Sequence, residues 1–431
     1  MKSRRVRQGL QMALLVFAIS AASVRAADVR LGIDVLQDDG FRALEGKKVG
    51  LVVHPASVNS ELVSTVEVMR QTDVCKLTVL FGPEHGVYGD EYAGVTIPDR
   101  TDSRVSLPVR SLYGKTRKPT PQMLKGLDAL VFDLQDIGSR SYTYISTMRY
   151  CLEACAEAGI EFVILDRPNP LGGERVEGPM VEKDFESFIS ALNVPYLHGM
   201  TMGELAQLVK EEKFPHYQKL KVVKMTGWKR NMAWEETKLR WVPTSPHIPH
   251  GSTCAAYAAT GLIGELGQLS NGVGYPLPFE VVGAPTLKGE LLAETLNDHW
   301  DRPEVYQLVL KKEAEIPPLS PAPDGIRFRP ARFKPFYATF RDTGCEGAQV
   351  YLDPGKASTL VEINFRVLAA VGAPAMFGQA SPAQARSFDQ ACGSDSPRKW
   401  LTEGRDLATL FERWRTECSR FREKRQQHLL Y

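Results

Sequence analysis

Apolar residues along this chain come in short unbroken runs, each released into a tight polar cluster. Residues 49–53, 77–81, 129–134, 162–165 and 220–225 read as strands buried on both faces, since a strand covered on one side alone would alternate. Between them, 61–70, 121–125, 145–157 and 202–212 carry helical periodicity. Pro121 suits a helix start and Thr201 a helix cap, while 105–112 reads as extended. Strand and helix alternating in this way predict a parallel sheet with helices on both faces. After the Pro-rich stretch 242–249 the periodicity weakens and Pro and Gly become more frequent. A last helix is predicted over 407–423. The expected fold class is α/β, with a parallel-sheet domain over 27–244 and a smaller α/β or α+β domain over 245–431.

The first 26 residues fall outside this pattern. A basic start (Lys2, Arg4, Arg5, Arg7), an apolar stretch over 12–19 and the small-x-small triplet Val24-Arg25-Ala26 predict a cleaved export signal. The apolar stretch is too short for a stable membrane anchor. No cysteine stands directly after the cleavage point, as a lipoprotein anchor would need, and no second long apolar segment exists. The expected product is a soluble periplasmic protein of about 405 residues, long enough for two domains.

Cleavage changes the charge. Taking the five basic residues of the signal from the 53 Lys and Arg leaves 48 against 51 Asp and Glu. A near-neutral, slightly acidic chain lacks the basic face a nucleic-acid partner requires. Seven cysteines in an exported chain leave at least one thiol unpaired. Cys151 and Cys155, four apart on a predicted helix, read as core packing. Cys345 with Cys392 or Cys418 is the one disulfide considered.

Three clusters hold the chemistry. Glu84 and His85 lie in Gly82-Pro83-Glu84-His85-Gly86, where the glycines free the backbone beside a ligand. Asp133, Gln135, Asp136 and Arg140 follow the 129–134 strand, and Tyr142 opens the next helix. Asp166, Arg167 and Asn169 follow the 162–165 strand, with Pro168 and Pro170 stiffening the loop. In an open α/β sheet the loops leaving the carboxyl ends of strands share one crevice. Three distant segments are thus expected to build one polar pocket. A carboxyl group desolvated there holds its proton near neutral pH and suits a general acid, and Glu84 is the first candidate.

Other chemistries fit less well. His54, His85, His198, His247 and His250 show no HxH, HExxH or HxxEH spacing, so no metal is expected. The turn after the first strand lacks GxGxxG, so no dinucleotide or other cofactor is expected. Ser57 and Ser245 lack the GxSxG elbow of a serine hydrolase.

The stretches LFGPEHGVYGD, PVRSLYGKTRKPT, LVFDLQDIGSRSYTYISTM, VILDRPNPLGG, HGMTMGELA and the terminal LLY resemble the NamZ-type exo-β-N-acetylmuramidases, long catalogued as a domain of unknown function. The resemblance covers nearly the whole chain after the signal. It implies a Rossmann-like larger domain, a smaller α/β domain and a cleft between them. The implied activity is release of N-acetylmuramic acid from the non-reducing ends of peptidoglycan fragments. Glycoside hydrolysis needs an acid and a second carboxylate. Glu84 is expected as the acid, and Asp136 as the second group with Asp133 and Asp166 as rivals. Arg140 or Arg167 is expected to read the lactyl carboxylate of muramic acid. His85, Gln135, Asn169 and His198 are expected on sugar hydroxyls and the acetamido group, with Tyr142 and Ser245 completing the binding surface.

The chain departs from the family pattern at His54 and His247, where many members carry Asn. It departs again at 270–275, Ser-Asn-Gly-Val-Gly-Tyr, where they carry a Glu-Gly-Arg-Gly-Thr type stretch. Two other readings stand beside the glycosidase: a non-catalytic muropeptide-binding protein, and an esterase or amidase on cell-wall fragments using Ser245 or a metal.

Overall fold

The structure is a computed structural model that describes residues 29–311 and 318–431. The export signal expected over 1–26 lies outside the described residues. Seven strands form the larger sheet: β1 (Lys48–Val53), β2 (Lys76–Gly82), β3 (Arg100–Thr101), β4 (Pro108–Ser111), β5 (Ala129–Asp133), β6 (Glu161–Leu165) and β7 (Leu220–Val223). Their order is β3-β4-β2-β1-β5-β6-β7, and all neighbours are parallel except β3, which runs against β4. Setting β3 aside, this is the doubly wound order. Connections from β1 step one way to β2 and β4, and those from β5 step the other way. The crevice between β1 and β5 at their carboxyl ends is where such sheets bind ligands.

Residues with branched and aromatic side chains make β5 and β6 almost fully buried, as their unbroken apolar runs require. Helices α1 (Gly32–Asp38), α2 (Thr65–Arg70), α3 (Pro121–Leu124), α4 (Tyr144–Ala158), α5 (Met202–Lys213) and α6 (Trp234–Thr237) cover the sheet or join its strands. In α4, Ile145, Met148, Leu152 and Cys155 recur at three- and four-residue spacing and enter the core with Phe132 and Phe162. Each such side chain contributes roughly 1.5–3 kcal/mol on burial. Gly159 ends the helix in the left-handed conformation at φ 67°. Helix α5 starts with the predicted Thr201 cap, reciprocated by Glu204. Helix α2 is shorter than the 61–70 pattern implies. Asn59 accepts the Glu61 and Val63 amides, Leu62 turns left-handed at φ 65°, and Ser64 becomes the cap.

The smaller domain is built on an antiparallel sheet, β8 (Val281–Ala284), β9 (Ile326–Phe333) and β10 (Cys345–Leu352), in the order β8-β10-β9. Around it lie α7 (Thr253–Gly264), α8 (Gly289–Asp298), α9 (Val305–Leu310), α10 (Val361–Ala370), α11 (Ala373–Gln379), α12 (Pro382–Cys392), α13 (Ser396–Thr402) and α14 (Leu407–Lys424). The chain then returns to the larger domain. Cys418 and Phe421 of α14 share a core with Phe132 and Phe162, and the Tyr431 hydroxyl donates to Asp166 at 2.7 Å.

All seven cysteines are buried and unpaired. The disulfide considered for Cys345 does not form: its side chain packs with Val281 and Phe333 beside β8, while Cys392 and Cys418 belong to other cores. Among the described residues no single helix is long and apolar enough to cross a membrane.

Candidate active site

The loop leaving β2 turns sharply at Pro83–Gly86, closed by the Gly86 amide donating to the Pro83 carbonyl at 3.0 Å. His85 and Gly86 are both left-handed, at φ 68° and 78°, which fixes Glu84 against the crevice rather than toward solvent. Glu84 is 7 % exposed. Its Oε1 accepts the Gly94 amide at 2.9 Å and its Oε2 the Thr143 hydroxyl at 2.6 Å. Tyr113 lies nearby, and burial together with Glu84 pushes its phenol far above its ordinary range. The His85 ring donates from Nδ1 to the Glu91 carbonyl at 2.8 Å, so residues 90–96 form a strap tied beside both side chains.

The loop leaving β5 supplies a second buried carboxyl group. Asp136 Oδ2 accepts the Gly138 amide at 2.8 Å, while Oδ1 is buried without a partner. Burial raises this carboxyl to about 7, against the opposing pull of the Gly138 and Ile137 amides. His198 faces it, with Nε2 3.8 Å from Asp136 Oδ2. The Met200 amide donates to His198 Nδ1, which leaves the ring proton on Nε2. Burial, then Arg425 and Arg140, hold His198 down at about 3, so the contact joins a neutral ring to a carboxyl and is no ion pair. Gln135 is anchored by its amide to the Asp136 and Pro168 carbonyls, with its side-chain oxygen unpartnered.

Three expected ligand contacts, with the rival catalytic residues Asp133 and Asp166, are instead spent inside the protein. Asp133 and Arg167 make a bidentate ion pair at 2.6 and 2.9 Å, and Arg167 also donates to the Val58 carbonyl. Asp133 further accepts from Thr65. Arg140 is fully buried and donates to the carbonyls of Pro179, Val194, Ala391 and Cys392 and to Ser190. Neither arginine is placed to read a sugar carboxylate. Asp166, fully buried, accepts from Thr201, Gly203 and Tyr431, which hold it inside the fold. Asn169 bridges the Met200 carbonyl and the Leu171 amide, fixing its own turn.

The remaining walls come from tyrosines and from the second half of the chain. Tyr142 donates to the Thr244 hydroxyl at 2.8 Å and Tyr144 to the Thr244 carbonyl at 2.7 Å. Ser245 also meets Tyr142. His54 links the same places, donating to the Thr244 carbonyl and accepting the Gln135 amide, and burial holds it neutral with its pKa down at about 3. This accounts for the His54 departure as a joint between loops. Tyr144 and Tyr257, raised first by burial, are raised further by the charges of both Glu84 and Asp136.

Glu265, at the end of α7, is a carboxyl group the sequence reading missed. It accepts from Ser387, and burial and then Glu84 raise it. Its signal was a single acid closing the apolar stretch Ala255–Ile263, where burial without a role is costly. Across the opening, Tyr92 of the strap stacks on Tyr337 at 4.6 Å, and Tyr337 lies parallel to His247 at 6.0 Å. The second departure, 270–275, supports this stack. The Gly274 carbonyl accepts the Phe336 amide, and a side chain at Gly274 would meet the Tyr337 carbonyl at 2.1 Å.

Cavities of about 580 and 530 Å³ lie elsewhere, around Glu177, Ser358 and Arg422, and another of about 530 Å³ lies beside Lys48 and Cys75. Among the described residues no three His, Cys, Asp or Glu side chains stand close enough to share a metal ion.

Models of the N-terminal and C-terminal domains of exo-β-N-acetylmuramidase NamZ match residues 49–252 and 255–431. The peptidoglycan β-N-acetylmuramidase NamZ of Bacillus subtilis is 38 % identical, with 98 % of each chain covered. A crystal structure of a DUF1343 family protein from Bacteroides fragilis superposes with a TM-score of 0.82 at 41 % identity, covering 94 % of this chain and 99 % of that one. A second such protein from the same organism, 23 % identical, shares the fold with a TM-score of 0.70. The chain therefore belongs to the exo-β-N-acetylmuramidase NamZ family, as its motifs implied.

Proposed function

We propose that the protein is an exo-acting glycosidase that releases N-acetylmuramic acid from the non-reducing ends of peptidoglycan fragments, with Glu84 as its general acid and base. The observation that carries this reading is the setting of Glu84. It is a carboxyl group at the carboxyl edge of a doubly wound sheet, 7 % exposed, and oriented by the Gly94 amide and the Thr143 hydroxyl. Held in this way it delivers its proton to the glycosidic oxygen while water or a carboxylate takes up the bond at the sugar carbon. Asp136 remains the choice for the second group, since it is buried and half-partnered. Glu265 replaces Asp133 and Asp166 as its rival. The esterase reading loses ground because Ser245 meets a tyrosine and not a general base.

The test is Glu84→Gln assayed on an aryl β-glycoside of N-acetylmuramic acid. Hydrolysis is expected to fall by about 10²–10⁴-fold, the usual contribution of a positioned acid, while the sugar still binds. A wild-type protein that binds the glycoside without cleaving it would favour the muropeptide-binding reading.

A further inference from the structure

With Arg140 and Arg167 committed elsewhere, the cation that selects the sugar has to be sought again. Among the buried or half-buried arginines of the larger domain, Arg117 stands apart. Arg140 reaches five acceptors, and Arg167 holds Asp133 and a carbonyl. Arg117, by contrast, makes no hydrogen bond or ion pair with the described residues, and its buried NH1 has no acceptor. What holds the guanidinium is aromatic. Its central carbon lies 3.3 Å from the centre of the Tyr113 ring and 5.0 Å from that of Phe188. Phe188 in turn stacks on Tyr150. Such stacking compensates only in part for taking a cation out of water. A planar fork held in place with its donors unused suits a carboxylate that arrives from outside.

The location says which carboxylate. Arg117 lies on Tyr113, whose phenol is raised first by burial and then by the charge of Glu84, so the free guanidinium stands on the ring that neighbours the proposed acid. The neighbours fix it there. The Thr116 hydroxyl bonds the Lys118 backbone on both sides, and Lys118 is clamped to Glu153 and Glu157 on α4. An anion bound at that spot belongs to the same sugar ring whose bond is being broken. Muramic acid differs from glucosamine by a lactyl ether, a methyl group and a carboxylate on one carbon. The half-buried Phe188 ring offers an apolar surface for the methyl, and Arg117 the partner for the carboxylate.

We propose that Arg117 reads the lactyl carboxylate and sets the preference for N-acetylmuramic acid over N-acetylglucosamine. The proposal rests on the glycosidase reading above and adds its specificity element. The experiment compares aryl β-glycosides of the two sugars with the wild type, Arg117→Gln and Arg117→Lys. The ratio of kcat/KM for the muramoyl over the glucosaminyl substrate is expected to drop about a hundredfold in Arg117→Gln. Arg117→Lys should fall between, because it keeps the charge and loses the fork. A parallel measurement of free-sugar binding uses the Glu84→Gln background, where adding Arg117→Gln should abolish the preference for N-acetylmuramic acid. An unchanged ratio and an unchanged binding preference in folded variants would overturn the role of Arg117 while leaving the glycosidase standing. A wild type inert on both glycosides overturns the glycosidase reading instead, and the binding comparison still decides Arg117.

Discussion

Asp136 is the residue whose ionisation the fold resists most visibly, and this has a measurable consequence. Its carboxyl is raised by burial to about 7, so its contribution to stability is present below about pH 4 and lost as the pH rises through 7. Asp166, raised by burial to about 6, acts in the same direction. His54 and His198, held down at about 3, act oppositely, because the unfolded chain takes up their protons first as the pH falls through 6.5. The whole-protein pH profile therefore mixes opposing slopes, and a variant isolates one of them. Asp136→Asn is expected to gain stability over the parent progressively from pH 4 to 7, then hold that gain to pH 8, in parallel thermal melts. A constant offset across that range would contradict the buried, unpartnered Oδ1. At this scale the constrained setting of Glu84 was legible, because glycines and a proline around one acid announce a carboxyl group held in a tight turn. The arginines were not. Nothing in the sequence reveals that four carbonyls wait for Arg140 and none for Arg117.

At the scale of elements, the strands were read from their apolar runs, and the helices α4 and α5 from periodicity with their caps. Helix α2 was misread at its start because Leu62 fits an amphipathic pattern while Asn59 folds the backbone into a turn. The terminal Leu-Leu-Tyr carried a family signal without a visible reason. The structure supplies one: the Tyr431 hydroxyl donates to Asp166 and accepts the Met225 amide at 3.0 Å, and the Leu430 amide donates to Glu204. The last two residues thus tie the end of β6 to the segment after β7 and to the start of α5. Tyr431→Phe leaves a buried carboxylate one donor short and is expected to cost about 1–3 kcal/mol in denaturant unfolding, with substrate preference unaltered. A midpoint equal to the parent's would show that this tie is dispensable.

Over the whole molecule, the two sheets were foreseeable as separate units, but the interlocking between them was not. Arg140 leaves the β5 loop and ends against the Ala391 and Cys392 carbonyls of α12, while α14 returns Cys418 and Phe421 to the first core. Contacts between segments 250 residues apart depend on geometry that no local pattern encodes. Arg140→Met strands several carbonyls at once and is expected to destabilise the protein by about 3–5 kcal/mol. Unfolding followed by urea should show both domains melting at a lower midpoint, whereas separate transitions would mean they are held together by other contacts. The seven buried, unpaired thiols bear on the molecule as a whole in another way. Sulfur here fills volume and, at Cys345 and Cys418, donates to a backbone carbonyl, so no cross-link has to be formed or shuffled on the route to the native state. Glutathione or an oxidising compartment makes no difference to what holds the chain together, and the fold is complete on either side of a redox boundary.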